Sequence, residues 1–181
     1  YYASRGLGDV YKRQVYMYQQ KWAAASNLLQ QVVDKNIYSM EKVPTKYTSE
    51  NKDLILALKV GNESRDSRVN VDGSPEKVVP IMTSTDVKLL YAECEIHLGN
   101  NAKASKYISE VDNVNGISGT SVSVEGIKQL RKSLKLQDYF AFLKRNGLAM
   151  KELGLEKYQL LLPIPQNELM VNPNLTQNPG Y

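Results

Sequence analysis

The chain has 181 residues, with 23 Lys and Arg against 19 Asp and Glu, a formal charge of +4 and 42% hydrophobic residues. This is ordinary globular usage, sufficient for a packed core and contrary to wholesale disorder. A single Cys excludes an internal disulfide, no apolar run approaches the roughly 18 to 20 residues that span a bilayer, and no charged-then-apolar leader opens the chain.

The opening stretch stands apart. Ser4 to Gln14, SRGLGDVYKRQ, resembles over its whole length the in-frame translation of a transposase-based sequencing-library adapter, whose constant end reads DVYKRQ. On that reading residues 1–14 are non-native, the native sequence starts near Val15, and the lack of a visible leader carries no information. Arg5, Lys12 and Arg13 against Asp9 also account for half of the net charge, leaving 20 basic and 18 acidic residues, or +2.

From Tyr16 to Asp34 the spacing of Trp22, Ala25, Leu29 and Val32 or Val33 predicts an amphipathic helix, entered by the end of another. Asn36 to Lys46, with Pro44, is a connection. Leu54 to Val60 is an apolar run of strand length. Gly61 to Pro80, with Gly73, Ser74 and Pro75, is a predicted loop. Thr85 or Asp86 can cap a helix from Val87 to Leu98, because a short side-chain oxygen accepts from first-turn amides. Gly99, Asn100 and Asn101 end it, and a second helix from Ala102 to about Val111 folds back as an αα-hairpin.

Ala25, Ser26, Leu29 and Val32 recur as Ala104, Ser105, Ile108 and Val111, an offset of 79 residues. Small residues admit a neighbouring helix closely and the aliphatics form a buried stripe. The hairpin, with Leu98-Gly99 at its turn and Ala104 beyond, resembles a tetratricopeptide repeat. A regular array would repeat about every 34 residues, so the longer offset implies interrupted units. Asn113 to Glu125 is loop. Gly126 to Arg145 is a predicted helix, with Ile127, Leu130 and Leu134 on one face and Leu136, Tyr139, Phe140 and Leu143 on a shifted one, stopped by Gly147. Tyr158 to Pro165 is extended, since its prolines lack donors and restrict the residues before them. The end, NPNLTQNPGY, is predicted coil held by packing of Leu169, Val171, Leu175 and Tyr181 on the helices. The fold class is therefore mostly α, with tetratricopeptide-like helical hairpins, irregular loops and an extended tail.

Catalytic groupings are poor. His97 and Cys94 are the single residues of their kinds and fall short of a four-ligand zinc set; Cys94, among Leu90, Tyr91 and Leu98, reads as a buried inert thiol, leaving only a Cys-His pair as an enzyme reading. Glu93 and Glu95 face different ways on a helix and form no acid-base pair. Asp66 to Gly73 lacks the regular alternation of oxygen ligands of a calcium loop. Lys128, Arg131, Lys132 and Lys135 make a basic helix face, read as a solvated outer face rather than a nucleic-acid surface. Trp22 is read as structural, while the twelve Tyr and one Trp also suit contact with sugar rings. No catalytic residue, metal site or cofactor is expected, and the residues name no ligand site.

Leu161 to Tyr181, LLPIPQNELMVNPNLTQNPGY, resembles the C-terminal signature of the SusD/RagB family: LLPIP, a polar pair and Glu168, then Asn172-Pro173-Asn174-Leu175 and Gln177-Asn178-Pro179-Gly180-Tyr181. Leu89 to Val111 resembles the family helix pair around YAEA and LGN, and the run ending Tyr38-Ser39-Met40 an earlier family helix. Where members carry an E-R-x-x-E-L, E-G, D-L-x-R sequence, this chain has Arg131, Ser133-Leu134, Gln137-Asp138 and Phe142 to Arg145, so most acidic positions are lost. The resemblance implies residues 15–181 as the C-terminal part of a surface-exposed outer-membrane lipoprotein of Bacteroidetes. Such a protein is not an enzyme. It binds an oligosaccharide, in some relatives a peptide, and delivers it to a SusC-like TonB-dependent transporter, on a tetratricopeptide-like scaffold and with a lipid anchor outside this sequence. A tetratricopeptide-type peptide-binding adaptor is the alternative.

Overall fold

The computed structural model describes residues 12–35, 38–44, 47–60 and 77–181. Most of the suspected adapter segment (1–11), the calcium-like Asp66 to Gly73 run and most of the expected 61–80 loop lie outside the described residues. The chain divides into two compact units, Tyr1–Gln137 and Asp138–Tyr181.

In the first unit a helix over 12–18 (α1) leads into α2 (Trp22–Asp34). The break between them is a helix end in which the Lys21 amide bonds the Tyr16 carbonyl (2.8 Å), the Gln20 amide bonds the Met17 carbonyl (3.0 Å), and Gln20 adopts φ 56°. This pair of bonds closes around a left-handed residue, a place that usually holds glycine. Strands β1 (Leu54–Val60) and β2 (Lys77–Thr83) pair antiparallel, Leu54 opposite Thr83 and Val60 opposite Lys77, with irregular register near Leu56. Residues 77–80, expected as loop, are thus strand. Pro80 lies opposite Ala57; a two-stranded sheet consists only of edges, where a missing donor is tolerated.

Helix α3 (Ser84–His97) starts earlier than expected. Its cap is Thr83, whose side chain accepts from the Asp86 amide (3.0 Å) while the Asp86 carboxylate accepts from the Thr83 amide (3.1 Å), a reciprocal capping box. Packed against α2, β2, α4 (Asn101–Asn115) and α5 (Val124–Ser133), α3 is buried on nearly every side from Ser84 to Glu95. The expected α3–α4 hairpin is present, turning at Gly99. Of the echoed positions Ala25, Ser26, Leu29, Ala104, Ile108 and Val111 are buried, while Val32 and Ser105 are half-buried. α4 runs to Asn115, four residues beyond its apolar stripe, and ends at left-handed Gly116.

The helix expected from Gly126 to Arg145 is broken. α5 ends at Ser133, Lys135 takes φ 53°, and the Leu136 amide bonds the Arg131 carbonyl (3.0 Å) in the arrangement seen at Gln20. The shift of apolar face noted in the sequence was this break, and no glycine announced it.

In the second unit α6 (Tyr139–Arg145) is stopped by Gly147, as expected, and followed by a short unforeseen helix α7 (Ala149–Leu153). Lys157–Leu160 form a 3-10 turn rather than extended chain, closed by a Glu156–Gln159 capping pair; the extended stretch is confined to 161–165. The tail is not all coil either, for α8 (Gln166–Val171) begins directly after Pro165.

Candidate functional site

The charged groups of α3 are spent on holding helices together. Glu93 and Arg131 of α5 lie 4.0 Å apart with both side chains wholly buried. Glu95 points elsewhere, accepting from the Ser26 hydroxyl of α2 and, at 2.8 Å, from the Asn100 amide at the α3–α4 turn. Two residues along a helix is about 200° of rotation, so the pair serves two different neighbours. Lys88 reaches Glu110 of α4 at 2.8 Å, and Asp112 takes the Thr120 hydroxyl at 2.8 Å, tying down the loop after α4.

The basic stripe is not the solvated face expected. Arg131 is completely buried, and Lys128, 8% exposed, pairs with Glu125 at 2.8 Å; only Lys132 and Lys135 are exposed. A buried carboxylate on a facing helix overrides the periodicity, because a guanidinium can enter a core opposite an opposite charge.

Cys94 is fully buried within the helical pack, whereas His97 is exposed and stacks on Trp22, ring centroids 3.9 Å apart and planes 6° from parallel. Trp22 is half-buried rather than part of the buried stripe; it joins α2 to the end of α3 through this ring contact, a partner that could not be read from a sequence separation of this size. Among the described residues no group of three or more His, Cys, Asp and Glu could hold a metal. No helix among them is long and apolar enough to cross a membrane.

The C-terminal motif is a hydrogen-bonded clasp. Between Pro163 and Pro165, neither with an amide hydrogen, Ile164 offers the one N–H of this stretch. Gln177 takes both polar groups of Ile164: its Oε1 accepts from the Ile164 amide (2.8 Å) and its Nε2 donates to the Ile164 carbonyl (3.0 Å). Asn178 donates to the Leu162 carbonyl (2.6 Å) and the Tyr181 hydroxyl to the Leu161 carbonyl (2.8 Å). Tyr181 meets Tyr158 edge to face at 5.2 Å. Gly180 has φ 96°, and a Cβ there would lie 2.5 Å from Tyr158 Cγ, so only glycine fits. The expectation of apolar packing holds in part at most: Leu169 is half-buried, but Val171 is 77% exposed and Leu175 and Tyr181 are exposed too. Polar side chains bonding to the proline-flanked backbone hold the tail instead.

Helical hairpins followed by this clasp can be compared with known proteins. Residues 127–181 match the model of the SusD family, SusD_RagB, a span that contains the whole clasp. The fold is shared, over 97% of this chain, with a laminarin binding SusD-like protein (TM-score 0.77, 18% identity) and with a SusD superfamily protein from Bacteroides vulgatus (TM-score 0.70, 14% identity). The chain spans 62% of the length of each of these structures. No curated protein matches it. The C-terminal stretch is SusD/RagB family sequence, and the chain carries the SusD-like fold along nearly all its length.

Proposed function

We propose that residues 15–181 are the C-terminal part of a SusD-like nutrient-binding protein, with residues 1–14 foreign to it. The protein binds an oligosaccharide at the outer-membrane surface and hands it to a SusC-like TonB-dependent transporter, held at the membrane by a lipid anchor outside this sequence, without catalysing a reaction. The observation that carries the reading is the clasp: the residues that make it, Leu161 to Ile164 and Gln177 to Tyr181, fall inside the family-matched stretch. The laminarin-binding relative of the same fold favours a glycan as ligand. The helical hairpins then serve as scaffold and transporter contact. A simple repeat adaptor has no need of a long proline-punctuated tail, which weighs against the alternative. Isothermal titration of the 181-residue chain with laminarin, other oligosaccharides and peptides tests the ligand class. Saturable binding of an oligosaccharide is expected, and binding of peptides alone would overturn it.

A further inference from the structure

Both strands of the hairpin end at the first turn of α3. β2 enters it through the cap Thr83, and the residue before β1, Asp53, reaches it sideways: the Thr85 amide donates to one carboxylate oxygen of Asp53 (3.0 Å), the Thr85 hydroxyl lies 3.0 Å from the other, and the Ser84 amide donates to the Asp53 carbonyl (2.8 Å). Asp53 is fully buried. The second carboxylate of the turn, Asp86, accepts from the Thr83 amide at 3.1 Å and its hydroxyl at 2.9 Å.

We propose that this junction is a proton-operated lock, in which proton uptake by Asp53 tightens the hold of the β1–β2 hairpin on α3 and proton loss loosens it. The hydrogen bonds survive either state. Ionised, both oxygens of Asp53 accept from Thr85; neutral, one still accepts from the amide while the other donates its proton to the hydroxyl, which accepts as readily as it donates. The two states differ in charge. The ionised form places a negative charge out of contact with water and beside Asp86, and both effects favour the neutral acid. Among the described residues, the groups facing Asp53 are Asp86 and the Thr83 and Thr85 hydroxyls on the β2–α3 side, and Tyr47 from the segment before β1. Tyr47 is pushed up to about 12 by burial and by the two carboxylates, so it stays neutral wherever Asp53 titrates. Burial first, then Asp86, raise Asp53 from 3.8 to about 6 against the lowering effect of its hydrogen bonds. A raised acid stabilises the folded junction fully below its unfolded value and loses that contribution as pH rises through the folded one.

Hydrogen exchange of the 181-residue chain, corrected for intrinsic rates and read on peptides covering 47–60 and 77–90, tests the lock. Protection is expected to fall about tenfold between pH 5 and 7.5, as follows from values of 3.8 and about 6, and to be flat over that range in Asp53→Asn. Asp86→Asn, which keeps an oxygen for Thr83 but removes the neighbouring charge, is expected to move the fall to lower pH. Flat protection in the unmodified chain, an unchanged fall in Asp53→Asn, or an unmoved fall in Asp86→Asn each overturns the proposal.

Discussion

Gln177 holds Ile164 as a paired strand would, one side-chain amide closing on both the N–H and the C=O of a single residue at 2.8 and 3.0 Å. The arrangement depends on composition. Prolines on either side of Ile164 make it the one residue of the stretch that can both donate and accept, so a single Gln satisfies it.

Removing that grip should be costly. Gln177→Ala leaves a part-buried amide and carbonyl unpaired, at about 1–3 kcal/mol. Gly180→Ala should cost at least as much, because it adds a left-handed non-glycine residue to a collision with Tyr158. Both are expected to lower the thermal midpoint and to expose the tail to limited proteolysis after 165; a tail as resistant as the unmodified one would sink the clasp as its tether.

At Lys135 and Gln20 the helix ends would be better served by glycine. Lys135→Gly should relieve a left-handed strain and stabilise the chain by about 0.5–1 kcal/mol, despite the added freedom of the unfolded state. Chemical denaturation should give a higher midpoint with an unchanged slope. A lower midpoint would mean that the Lys135 side chain contributes more than its backbone strain costs.

The buried Glu93–Arg131 pair is expected to tolerate joint removal better than single removal. Arg131→Met strands a carboxylate in the core and should cost about 3–5 kcal/mol, and adding Glu93→Gln should recover a large part of it. Strict additivity in this double-mutant cycle would show that the two groups are not coupled.

Alkaline titration should find Tyr91 late. Burial first, then Glu95 and Tyr107, whose ring packs edge-on at 5.0 Å, push its phenol from 10.0 to about 12. Its contribution to stability is therefore intact below pH 10 and lost as pH rises toward 12. Tyr91→Phe, with no phenol to ionise, should move the alkaline unfolding midpoint upward; near-UV absorbance and circular dichroism followed together would read it, and an unmoved midpoint would discount this phenol.

If residues 1–14 are foreign, a chain beginning at Val15 should melt within a few degrees of the longer one. The opposing consideration is local: Arg13 is 1% exposed, with Nη2 3.4 Å from the Met82 sulfur, and Met17 beside it is buried. A substantial drop in the thermal midpoint would show that the first turn of α1 is part of the fold.

The helices and their stops were legible in sequence wherever the signal is local. Ala25, Leu29, Ile108 and Val111 recur at helical spacing, Gly99 and Gly147 end their helices, and the LLPIP and QNPGY segments announce a particular kind of terminus. The misreadings fall where a local signal was missing or ambiguous. Lys135 ends a helix without glycine, Pro80 sits in a strand because that strand is an edge, and Thr83 caps α3 ahead of two equally plausible candidates.

What surrounds each charge could not be read from the chain, because the partners are far apart along it. Arg131 looked like part of a solvated stripe until α3 brought Glu93 to it; Ser26 meets Glu95 across 69 residues, and Asp53 meets Thr85 across 32. Periodicity shows which residues share a face, but the tertiary structure decides what that face meets. Only burial against a specific neighbour turns a surface charge into a tie between helices, or raises an aspartate from 3.8 to about 6.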